Sequence, residues 1–233
     1  MMDSNISTML PIILFGLGII VAYIAFKLRQ QRIDTEKQEQ INIEVRRQNQ
    51  RIIRHQKTLA DYRKHGFGSL CQITVLVKLR DAYTAIQEVS LDHDITSRIL
   101  EVESEINTLK DNFTPTLVPL FEDYFEIPLI IRDIKGVAPA VSVLMYSEGL
   151  TQTQFKEECN ALQENQVRLD VYYTMAVARD MITKRNPSVY ENIKKATKLL
   201  NSNAFHLDRE FKRILQDIVA EAQAKVPERT AHY

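Results

Sequence analysis

Ser4 to Phe26 is a run of 23 residues without a charged side chain, bounded by Asp3 and Lys27. As a helix rising about 1.5 Å per residue it is about 34 Å long, enough for a bilayer core of roughly 30 Å. A cleaved signal peptide fits less well. The start is Met1-Met2-Asp3, without a positive charge, and the run ends at Ala25-Phe26-Lys27 without a small-x-small cleavage pattern. The run therefore predicts an uncleaved transmembrane helix over 8–28, preceded by a short extracytoplasmic tail over 1–7.

Lys and Arg give the anchor a direction. None precedes it, whereas Lys27, Arg29 and Arg32 follow, then Arg46, Arg47, Arg51 and Arg54 among others. Residues 27–65 hold 11 Lys/Arg against 5 Asp/Glu, while residues 66–233 hold 19 against 24. Positive flanks stay inside, so the expectation is an outside N-terminus and a cytoplasmic C-terminal body, at the inner membrane if the cell is bacterial. Cys71 and Cys159 are the only cysteines and form no C-x-x-C, which fits a reducing compartment and gives no structural zinc. Gly18 and Ala22 make a small-xxx-small pair suited to helix packing in lipid.

The remainder reads as all-α. Glycine is scarce, with 6 in the chain, and runs rich in Glu, Lys, Gln, Leu and Ile dominate. Residues 29–65 form a basic helical stalk. A heptad seam runs through Val45, Ile52 and Leu59 at one position and Ile41 and Tyr62 at the other, but Gln38, Gln48 and His55 fall on it too. Those polar residues weaken a coiled coil, and homo-oligomerisation stays open. Gly66-Phe67-Gly68 predicts a hinge before a helical domain over 66–226, with a disordered tail over 227–233.

Within that domain, apolar periodicity predicts helices over about 70–89, 95–113, 151–183, 187–201 and 205–225. Ile95, Ile99, Val102, Ile106 and Leu109 recur at steps of 3 and 4, a coiled-coil-like seam for a partner helix. Pro115, Pro119, Pro128 and Pro139 punctuate an apolar stretch, predicting short helices broken at the prolines. That stretch makes either the domain centre or a docking surface. Asn186-Pro187 predicts a stop and restart, with Asn186 as cap. Glu157 and Glu158 read as surface charges, and both cysteines as small buried hydrophobes.

Catalytic patterns are thin. No H-E-x-x-H and no nucleophile elbow occurs. His93-Asp94, with His65 upstream, resembles the histidine–aspartate pair of HD-type metal phosphohydrolases. That resemblance implies a metal held by those residues and a later carboxylate, Asp123 or Asp133. Ile95-Thr96-Ser97 stands where the family's small and basic residues are expected. A capping Asp beside a surface His is the simpler account.

The expectation is thus a non-enzymatic, single-pass membrane scaffold or regulatory component. It acts by helix–helix contacts with other proteins of a membrane complex and needs no cofactor. The alternatives are a membrane-tethered HD-type hydrolase, or capture of anionic lipid or nucleic acid by the basic stalk. Nucleic acid is disfavoured because Tyr62 is the stalk's only aromatic residue.

Overall fold

The computed structural model describes residues 4–90, 93–119, 124–202 and 209–226; the side chains of 4–22, 93, 145–147, 202, 209 and 210 lie outside that description. The described residues form seven α-helices and no strand: α1 (Ser4–Lys64), α2 (Ser69–Val89), α3 (His93–Asp111), α4 (Ile127–Ser147), α5 (Gln152–Thr183), α6 (Val189–Ser202) and α7 (Arg209–Lys225). The all-α expectation holds. Among the described residues no helix is long and apolar enough to cross a membrane. The apolar side chains of residues 4–22, with Gly18 and Ala22, lie outside them.

α1 is one helix of 61 residues. From Tyr23 to Gln40 every residue is exposed, so this part projects as a lone arm. From Gln48 onward the helix joins the body, with Ile52, Leu59 and Tyr62 buried against α2. The heptad seam is therefore taken up within the chain. α2 lies on the face that a second copy would need for a coiled coil over 45–62.

Gly66-Phe67-Gly68 is a packed corner, not a hinge. Gly66 has φ +73° and closes α1 with a Schellman motif: Phe67 N–H donates to the Tyr62 carbonyl at 3.0 Å, and Gly66 N–H to the Arg63 carbonyl at 3.3 Å. The Tyr62 and Phe67 rings stack at 4.3 Å across it. α2 then starts without a side-chain cap. Its first N–H groups are met by the extended segment 113–119, which crosses the corner. Gly68 N–H donates to Thr116 Oγ1 at 2.8 Å, and Ser69 N–H to the Thr114 carbonyl at 2.8 Å. A Cβ at Gly68 would press into the backbone of Thr114, Pro115 and Thr116.

α2 is the central helix of the first core. Leu70, Ile73 and Leu76 are fully buried, each stabilising the fold by about 1.5–3 kcal/mol. α3 packs along α2. The predicted seam supplies the contact: Val102 and Ile106 are buried in this core, and Ile95 and Leu109 pack on it. Its partner helix is α2 of the same chain.

α4 runs unbroken through Pro139, where sequence spacing suggests a break. Pro139 and Lys135 both lie on the exposed side, so the helical hydrogen bond removed by the proline is lost where water replaces it. Ile127, Ile130, Ile134, Val137, Val141 and Leu144 face the first core. Leu129 and Val143 point outward.

α5 begins with a capping box. Thr151 Oγ1 accepts from Gln154 N–H at 3.2 Å, and the Gln154 side chain accepts from Thr151 N–H at 3.1 Å. The helix passes from the first core, which ends at Leu169, into a second that starts at Val171. There α6 and α7 pack on it through Val189, Ala196, Phe211, Leu215 and Ile218. Its end is another Schellman motif, with Arg185 at φ 51° in the usual glycine position. Asn186 caps the turn that leads into α6, as predicted, although the α-helix proper begins two residues after Pro187, at Val189; the Asn186 carbonyl accepts from Val189 N–H at 3.1 Å. The Asn186 Oδ1 accepts from Ser188 N–H at 3.0 Å and shapes the turn before Val189.

Candidate functional site

The sequence-predicted basic residues scatter along α1. Lys27, Arg29 and Arg32 are exposed on the arm. Arg46, Arg47, Arg51 and Arg54 are exposed where α1 joins the body, and Arg47 pairs with Glu44 at 3.6 Å. Among the described residues the proposed metal residues do not converge. His65 faces Glu126 at 3.7 Å, Asp94 pairs with Arg98 at 3.9 Å, and the His93 side chain and Asp123 lie outside the described residues. Among the described residues no group of three or more His, Cys, Asp and Glu side chains can hold a metal ion.

Glu158 is a correction. It is fully buried on α5, beside a solvent-facing Glu157. Its carboxylate accepts from Cys71 Sγ at 3.0 Å, from Thr116 N–H at 3.1 Å and from the Thr116 hydroxyl. Asn165, two turns on, continues the pattern. Its Nδ2 donates to the Thr116 carbonyl at 2.8 Å and its Oδ1 accepts from Val118 N–H at 3.0 Å. Arg168 donates to the Val118 carbonyl and to Asn165 Oδ1. Positions 158, 165 and 168 share one face of α5, and they supply the extended segment with the partners a strand would otherwise provide.

The chemistry of this cluster is structural. Burial pushes the Glu158 carboxyl above the usual carboxylate range, against the hydrogen bonds from Cys71 and Thr116 that favour its charged form. Burial, then the Glu158 charge, pushes the Cys71 thiol well up, so it stays a thiol without nucleophilic power. A second polar tie joins α2, α3 and the end of α4: Glu148 accepts from Arg80 at 2.9 Å and from Lys110 at 3.1 Å.

A groove opens between α1 and α2. Gln48 and His55 enter it from α1; Lys78, Ala82 and Ala85 line it from α2. In the sequence Gln48 and His55 stand out only as polar breaks in the heptad seam. Their signal was present in that break: two polar residues seven apart on one apolar seam.

Comparison with protein-family models, with curated proteins and with solved structures finds no match.

Proposed function

We propose that the chain is a single-pass membrane-anchored helical scaffold whose body lies on the cytoplasmic side and assembles with other proteins of a membrane complex. The observation that carries this reading is the uncharged run of 23 residues standing at the outer end of one continuous helix. Such a run is of bilayer length, and the basic residues that follow it favour retention of the body inside. Lys27 and Arg29 reach the headgroups with their charged ends while their stems stay along the helix.

The uninterrupted α1 adds a spatial element. Residues 27–40 are helical and exposed, a spacer of about 21 Å at 1.5 Å per residue. The body is thereby held clear of the surface, with its helices facing cytosolic neighbours. The outward apolar residues Leu129 and Val143 of α4 are the positions from which helix–helix contact is most readily made.

The test is topology and company together. Full-length protein carrying a reporter at either end is expected to stay in membranes through alkaline extraction, with the C-terminal reporter inside. In-cell crosslinking from α4 positions 129 and 143 is expected to capture a specific protein. Extraction into the soluble fraction, or a C-terminal reporter outside, overturns the anchor. Crosslinks that do not depend on position overturn the scaffold.

A further inference from the structure

The α1–α2 interface is largely apolar, with a rim contact from Gln56 to the Tyr83 hydroxyl at 3.4 Å, but Gln48 and His55 bring polar side chains onto the seam itself. They share one seam position with Ile41 and Tyr62, so each replaces an apolar contact. Opposite them α2 carries Ala82 and Ala85. Two polar side chains against two small ones leave a slot where Leu and Ile would have closed the seam.

The slot is walled by cations. Gln48 is only 4% exposed; its Nε2 donates to Glu44 at 2.5 Å, and its Oε1 accepts from Arg51 at 3.4 Å. That bond holds the Arg51 guanidinium at the mouth. Lys78 stands across from it on α2. Among the described residues neither Arg51 nor Lys78 makes an ion pair, whereas Arg47, Arg63, Lys64, Arg80 and Lys110 all do. His55 lines the same slot, and its basicity is lowered by burial first and then by Lys78, Arg54 and Arg51. The repulsion that Lys78, Arg54 and Arg51 exert on this imidazole would be relieved by an anion held among them. Asp81 also lines the slot and is drawn to Arg80 at 4.0 Å. With Arg51 and Lys78 to set against this one carboxylate the lining keeps a single net positive charge, which suits one compact anionic group better than an extended polyanion such as a nucleic-acid backbone.

We infer that this groove binds a single phosphate-class oxyanion, either a free phosphomonoester or a phosphomonoester lipid headgroup. Arg51 supplies a forked donor pair, Lys78 a point charge, and His55 a further donor. Gln48, already committed to Glu44 and Arg51, positions Arg51 without having to touch the anion. The proposal does not depend on membrane anchoring.

The experiment uses the full chain in neutral-lipid nanodiscs with inorganic phosphate as probe, against chloride at matched ionic strength. Saturable binding is expected, with a rise in the His55 titration midpoint seen by NMR. Arg51→Gln and Lys78→Gln should each weaken binding at least tenfold, while Arg46→Gln on the exposed face leaves it unchanged. Arg51 and Lys78 are exposed, so these variants keep the fold, and the comparison of phosphate with chloride needs no variant. A second arm adds vesicles containing phosphatidic acid. Vesicles that displace phosphate identify the headgroup as the source; failure to displace it identifies a free solute. Binding of phosphate no better than chloride, an unmoved His55, or equal weakening by Arg46→Gln overturns the inference.

Discussion

Glu158 on α5 holds Thr116 by both its backbone N–H and its hydroxyl, in a region sealed from water. This two-point grip fixes a segment that belongs to no helix. Because the same segment satisfies the first N–H groups of α2, the grip also determines where α2 begins.

Removing the grip should be costly. Glu158→Ala leaves Thr116 N–H buried without an acceptor and opens a cavity, an expected loss of about 2–4 kcal/mol. Glu158→Gln keeps the shape but turns one acceptor into a donor facing donors, so it should lie between wild type and Glu158→Ala. Urea midpoints measure both. Equal stability of all three chains would remove Glu158 from the list of structural ties.

The two polar ties should respond to pH with opposite signs. Burial raises the Glu158 carboxyl, so the folded state binds its proton more tightly than the unfolded state does. Its contribution is fully present below the ordinary glutamate range and declines as pH rises towards the folded value. Burial also acts to raise Glu148, but the hydrogen bonds and charges of Arg80 and Lys110 outweigh it and lower the carboxyl. Its contribution is present above the ordinary range and is lost as pH falls through the folded value. Stability–pH curves for Glu158→Gln and Glu148→Gln, each subtracted from wild type, should slope in opposite directions.

Glycine substitutions should divide by place. Gly68→Ala drives a methyl into the backbone of Thr114, Pro115 and Thr116, and Gly66→Ala adds a side chain at φ +73° against Leu117. Each should cost more than about 1 kcal/mol. Gly136→Ala on exposed α4 meets nothing within 4 Å and should stabilise by about 0.5–1 kcal/mol. Thermal melts of the three variants check the contrast.

The cysteines should react in sequence. Cys71 is fully buried and Cys159 only partly. A thiol reagent added to the native chain should label Cys159 first, with Cys71 released only at the rate of opening. Labelling followed by peptide mass mapping reads this directly. Equal rates at the two sites would contradict the buried placement of Cys71.

The helices were legible because their periodicity is local. The span predicted over 151–183 is α5 at Gln152–Thr183, and the seam from Ile95 to Leu109 faces a helix as its spacing required. What escaped depends on residues far apart in the chain. Glu158 looks solvated beside Glu157, since its partners Thr116 and Cys71 lie 42 and 87 residues away. Gly68 resembles a hinge until Thr114 and Thr116 are laid across it. Pro139 resembles a breaker unless its face is known to be wet. The α1 seam resembles a dimer interface because nothing local says that α2 folds back onto it. The same limit hid the groove, whose walls come from two helices.

α5 is the shared wall of both cores, with Leu169 closing one and Val171 opening the other, and Tyr172 touching both. No cut between them leaves two intact pieces. A fragment ending before α6 exposes the latter half of α5, and one starting at α6 lacks the surface on which it packs. The body is therefore an all-or-none unit in engineering terms. Insertions belong on its rim, and deletion mapping by halves would report unfolding in place of function.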